Sequence, residues 1–204
     1  MNYYQGKLMK HFFEKYSYTS VKLFLNQIAI AMFGLVLALS AGMAENDTLQ
    51  IVVSVLSVVF FLFLQYTVAY KLGTEDRVSI DLGKAKADYL LPVKIWLLGN
   101  SINLLLAIFI MLGHLFSGTV FGNIGGVCVS IAVLIEGMYS GLLTLNVGGA
   151  PLNSYWWMFF IITLPALVVV FLSYVAGLKS KKIAKIFEFQ YPESDRPEKK
   201  SKKR

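Results

Sequence analysis

The chain has 204 residues, 56% of them hydrophobic and only 15% charged, with a mean hydropathy of +0.62 and a formal net charge of +7. A soluble domain carries about a quarter charged residues, so this composition excludes a water-exposed globule and leaves a helical membrane protein. The single cysteine, Cys128, leaves no intrachain disulfide and no CxxC metal or redox pair; as a small residue in an apolar run it reads as packing.

Residues 1–23 come first. Leu8, Phe12, Tyr16 and Leu23 recur near helical spacing while Lys7, Lys10 and Lys15 fall elsewhere around the wheel. The pattern fits a cytoplasmic helix lying in the headgroup region equally with a plain lead-in to the first span. The segment is charged and aromatic and has no apolar core ending at small residues, so no cleavable signal peptide is expected.

Apolar blocks near the ~20 residues that cross hydrocarbon place spans at about 24–44, 49–70, 95–117 and 155–177. In the first, Ala29, Gly34, Ala38 and Ala41 permit close helix contact. The short loop Glu45-Asn46-Asp47-Thr48 makes the first two spans an antiparallel hairpin. Its Asn46-Asp47-Thr48 acceptor pattern lies too close to the membrane for glycosylation. A polar cytoplasmic loop, 71–94, follows, in which Val78, Ile80 and Leu82 alternate with Ser79 and Asp81 as a weak extended pattern. Pro92 precedes the third span, which carries Gly99, Asn100, Ser101 and Asn103 in its first half. The fourth opens on the interfacial anchor Tyr155, Trp156 and Trp157, and Pro165 is expected to kink it. The basic tail 179–204 ends in a Pro- and charge-rich run that cannot form a core, so disorder is expected beyond residue 190.

The segment 118–146 is the hardest to place: apolar enough to cross, yet holding six glycines and Glu136. All Lys and Arg lie before the first span, within 71–94, or from Lys179 onward, and 95–178 has none. The positive-inside rule puts those three segments, and both termini, in the cytoplasm. An even number of crossings must then separate Lys94 from Lys179, so 118–146 does not cross singly. The expected fold is an all-α membrane protein of four transmembrane helices plus one re-entrant or outer-leaflet helix at 118–146. On that helix Gly126, Ser130, Gly137, Gly141 and Thr144 form a small-residue packing face.

Catalytic signatures are missing. No span holds an aspartate pair, His11 and His114 are solitary, and neither a GxSxG elbow nor a Walker A loop occurs. No enzyme activity and no cofactor are expected. Glu136 is read first as an outer-face carboxylate touching headgroup water. Its functional alternative is a proton or cation site in the membrane with His114, Asn100, Asn103 or Gln27 as partners. Lys179, Lys181, Lys182 and Lys185 mark topology and, alternatively, contact anionic lipids at the cytoplasmic face. Nucleic-acid binding is not expected, because the excess charge sits in a tail.

Several phrases carry a resemblance: Phe12-Phe13-Glu14-Lys15-Tyr16-Ser17-Tyr18, Val21-Lys22, Asn26-Gln27, Asp76-Arg77-Val78-Ser79-Ile80-Asp81, Gly83-Lys84, Gly137-Met138-Tyr139 and Leu164-Pro165-Ala166. Together they resemble small, uncharacterised multi-pass membrane proteins of Gram-positive bacteria. The resemblance implies a bacterial cytoplasmic membrane and no particular activity. The expected role is a non-enzymatic accessory or scaffold subunit packing on a membrane protein partner or as a homo-oligomer. The alternative is a small oligomeric transporter or channel with Glu136 on its pathway.

Overall fold

The computed structural model describes residues 2–180, with side chains from residue 13 onward. The fold is almost wholly helical. Helix α1, Asn2–Met43, is a single 42-residue element, so the lead-in and the first span are one continuous rod. Nothing between them breaks it: Gly6 is its only glycine before Gly34, and it contains no proline. Ser20, Leu23, Gln27, Ile30, Gly34, Ala38 and Ala41 form its buried stripe, at the 3.5-residue mean spacing of a helix seam. Ala29, expected on the contact face, is exposed.

Helix α2, Asp47–Asp81, starts where the Asn46 side chain accepts the Leu49 N–H at 2.9 Å. It runs 35 residues, against the expected 22, and takes in half of the segment read as a loop. The alternation at Val78, Ile80 and Leu82 does not form a strand: Val78 and Ile80 are helical and Leu82 caps the helix. Residues 71–81 are held as helix by the i,i+4 pairs Lys71–Glu75 and Arg77–Asp81. The helix stops at Gly83, whose φ of 69° ends it with Gly83 N–H on Ile80 O and Lys84 N–H on Ser79 O.

The expected third span is broken. Helices α3, Leu91–Gly99, and α4, Ser101–Leu115, meet at Asn100 with a bend of 64°. Glycine and asparagine are poor helix interiors, and here the Asn100 side chain donates to Trp96 O while Asn103 donates to Asn100 Oδ1. Before the break, Asp88 accepts from Leu90 N–H and from Lys94, both at 2.9 Å. Partial burial alone would raise the Asp88 carboxyl, but those donors outweigh it and hold it below the ordinary range.

Helix α5, Val120–Ile135, lies antiparallel to α4 because Gly113 and Gly125 let the two backbones touch. A Cβ at Gly113 would stand 2.6 Å from the Gly125 Cα, whereas one at Gly126 meets nothing within 4 Å. Gly113→Ala is therefore expected to destabilise by about 1–3 kcal/mol through overpacking, and Gly126→Ala to be neutral or slightly stabilising through helix propensity. Thermal melts in detergent compare the two; equal effects would contradict this packing. The expected small-residue face does not persist. Gly126 and Ser130 point outward and Gly137 and Gly141 inward, because the chain bends between them, and α5 buries Gly125, Cys128 and Ala132 instead.

At Glu136 the chain turns 85° into a short 3-10 turn, Gly137–Tyr139, and helix α6, Ser140–Leu143. A two-residue hairpin, β1 (Asn146–Val147) with β2 (Ala150–Pro151), follows. Its turn, Gly148-Gly149, has φ of 68° and 89°, the mirror-image conformation that two-residue hairpins need. After it come α7, Met158–Ile161, and α8, Leu164–Lys179, together one 22-residue apolar element. Pro165 falls in the first turn of α8, where its missing N–H costs nothing, so the break lies ahead of the proline at Ile162–Thr163 and not at a mid-span kink.

Among the described residues three helices are long and apolar enough to cross a membrane, and up to five if each bent pair counts as one span. Many large apolar side chains, among them Met32, Val36, Leu56, Val59, Phe63, Leu105, Val127 and Leu172, face outward. Such a surface fits lipid and not water. The tail from residue 181 lies outside the described residues.

Candidate functional site

The buried stripe of α1 is a seam of polar groups as well as apolar ones. At its centre Gln27 Nε2 donates to Glu136 Oε1 at 2.9 Å, across 109 residues of sequence. Glu136 is 4% exposed and Gln27 2%. The reading of Glu136 as an outer-face carboxylate touching water is thus overturned, and the reason is the bend. The 85° turn ends α5 at Ile135 and drives the next residue, Glu136, into α1 instead of along a surface. The turn seats on small residues: a Cβ at Gly34 would come within 2.6 Å of the Met138 backbone, and Gly137 lies against the Ala31 carbonyl. One turn on, the Gly141 N–H donates to Ser54 Oγ of α2 at 2.8 Å. A carboxylate is therefore held between α1 and the broken α5–α6 segment with one amide donor and no described cation partner.

Other polar groups line the same seam. Gln65 on α2 donates to Leu23 O at 3.2 Å, one turn from Gln27, and its Oε1 has no partner. The Tyr139 hydroxyl, three residues beyond Glu136, is also buried without a partner. Ser20 is buried on the same stripe of α1.

A second acid closes the seam at the end of the bundle bearing the first cationic residues. Asp76 of α2 is 6% exposed. It accepts from Tyr174 of α8 at 3.0 Å, Lys15 of α1 at 3.2 Å and Tyr16 of α1 at 3.5 Å. Beside it Arg77 donates to the Leu178 carbonyl at 3.1 Å, tying α2 to the last turn of α8. The sequence pattern places Asp76 in the 71–94 loop and gives no sign of this role; the structure puts it in α2. Its partners lie 60, 61 and 98 residues away, and only its helical register beside Leu72 and Gly73 points to burial.

Of the other sequence candidates, Asn100 and Asn103 are buried, bond to each other at the α3–α4 break, and leave Asn103 Oδ1 unpartnered. His114 stands apart, exposed at the end of α4 with its ring 6.4 Å from that of Trp156. It does not join Glu136. Lys179 is exposed at the end of α8, and Lys181, Lys182 and Lys185 lie outside the described residues. Among the described residues no three His, Cys, Asp or Glu side chains gather as a metal site. Comparison with protein-family models, with curated proteins and with solved structures gave no match.

Proposed function

We propose that this protein is a small, non-enzymatic proton-linked transporter of the bacterial cytoplasmic membrane, with Glu136 as the group that takes up and releases the proton. The supporting observation is the Glu136–Gln27 pair: an acid 4% exposed at a helix break, held by a neutral amide. An ionised carboxylate with no cation nearby is costly inside a membrane, and taking a proton relieves that cost. Discontinuous helices meeting in the bilayer are also the usual way a transporter forms a central site. A metal ion or alkali cation would need several converging oxygens, and the described partner of this carboxylate is one amide N–H.

The membrane frame is part of the same proposal. Lys71 is the first cation on α2 beyond the apolar run. Gln65 lies six residues before it, and Gln27 one turn beyond Gln65's partner Leu23, which sets Glu136 roughly 15 Å inside a ~30 Å hydrocarbon layer. We read 118–146 as re-entrant, with four helices or broken helices crossing fully. His114 lies against Trp156, so the chain just before and just after the segment meets at one end of the bundle. Both termini and the loop after α2 are then cytoplasmic. In a Cys128→Ser background, cysteines at Gly118 and Asn146 are expected to react with an impermeant maleimide from outside, and one at Lys84 only after permeabilisation. Opposite-sided labelling of Gly118 and Asn146 would make the segment a full crossing and sink this frame.

The transport reading is tested with purified protein in liposomes carrying a pH-sensitive dye. An imposed potential is expected to drive proton entry that empty liposomes lack; no entry above empty liposomes, under either polarity and with cytoplasmic extract as a source of co-substrate, would end the proposal. One observation favours the second reading, an accessory subunit or homo-oligomer: the outward, uncontacted Gly126 and exposed Ser130 on α5 offer a close-packing surface for a partner helix. Cross-linking in native membranes distinguishes it by a stable heterologous partner.

A further inference from the structure

Lys22 of α1 and Lys71 of α2 stand on the two walls of a cleft between these helices, where a cavity of about 100 Å³ opens to the surface. Tyr18 and Thr19 complete the upper rim, and Val68 and Leu72, both buried, form the floor. We propose that this cleft binds the phosphate headgroup of an anionic phospholipid of the cytoplasmic leaflet. The proposal does not use Glu136 but rests on the membrane frame proposed above for its cytoplasmic placement, and it relocates lipid recognition from the basic tail to a formed site between helices.

Three observations carry it. Lys22 makes no ion pair among the described residues, and Lys71 has only a 3.8 Å contact to Glu75 with its own side chain 73% exposed. Two ammonium groups on opposite walls can close on one phosphate, with the Tyr18 and Thr19 hydroxyls as further donors. The cleft also sits where the charged end of α2 gives way to the apolar run, and Leu25, one turn along α1, is exposed to take an acyl chain. A soluble phosphate would gain nothing from that apolar floor. Glu75 also lines the cleft and opposes an anion; its contact with Lys71 is long enough to yield when a phosphate enters.

The test uses the full chain in neutral detergent, with native mass spectrometry and thermal melts during titration with phosphatidylglycerol, phosphatidylcholine or inorganic phosphate. Phosphatidylglycerol is expected to bind and to raise Tm, phosphatidylcholine to do so weakly, and inorganic phosphate not at all. The double variant Lys22→Gln/Lys71→Gln is expected to bind phosphatidylglycerol about 25-fold more weakly, as follows from losing two basic contacts. The control Lys84→Gln/Lys86→Gln removes the same charge away from the cleft and keeps wild-type affinity. All four lysines are exposed; the wild-type melting temperature of each variant without lipid verifies folding. Equal losses in both double variants, equal binding of the two lipids, or full stabilisation by inorganic phosphate would each overturn the proposal.

Discussion

Glu136→Gln is expected to abolish proton entry in liposomes, by at least about 100-fold, while the protein stays folded. The substitution is nearly isosteric, and the new amide oxygen still accepts the Gln27 N–H now bonded at 2.9 Å, so the turn at 136 keeps its anchor. What disappears is the one side-chain group at this position able to gain and lose a proton. Stability should hold or rise, because a neutral amide removes the cost of burying a charge whose sole described partner is uncharged. Gln27→Ala makes the complementary case. It leaves Glu136 buried without its donor and is expected to cost about 1–3 kcal/mol, seen as a lower Tm. Wild-type flux in Glu136→Gln would remove Glu136 from any pathway and leave the accessory reading in front.

The apolar blocks were legible because hydrocarbon imposes a length and composition that a linear scan detects. The antiparallel α1–α2 pair was legible from a loop too short to do anything else. Three features were not. Helix α2 continues to Asp81 because its polar end is stabilised by i,i+4 charges and by packing on α8, and a pattern of alternating apolar residues cannot report either. The break at Asn100 was written in Gly99-Asn100-Ser101, yet an apolar window averages over such a triplet. Glu136 was misplaced for a related reason. Its segment stands out in the sequence for its glycines and its charge, but whether an acid at a bend faces water or protein depends on what fills the other side. That neighbour is Gln27, far away in sequence. Local periodicity failed here because the helix carrying the supposed small face ends at residue 135.

Asp76→Ala is expected to produce the largest stability loss, about 2–3 kcal/mol, with a clear fall in detergent Tm. The carboxylate, on α2, gathers side chains from two other helices, and its removal affects them unequally. Lys15 is 41% exposed and can swing its ammonium into water, so its loss is small. Tyr174 is 1% exposed and cannot reorient so freely; its hydroxyl loses its acceptor at the cost of an unsatisfied buried donor, about 1–3 kcal/mol. Tyr174→Phe in the Asp76→Ala background should therefore recover part of the loss, whereas the same change in the native chain should be destabilising. That reversal of sign in a double-mutant cycle identifies a coupled pair; additive losses would show that Asp76 acts through something other than Tyr174. The cluster also has a mechanical role that Lys15→Gln isolates. Asp76 and Tyr174 stay bonded in that variant, so α2 and α8 remain tied while α1 loses its charged anchor. Melting should change little, and hydrogen exchange should rise in the first turns of α1 that follow Phe13 and stay unchanged around Gly73 and Gly177, where α2 and α8 touch backbone to backbone.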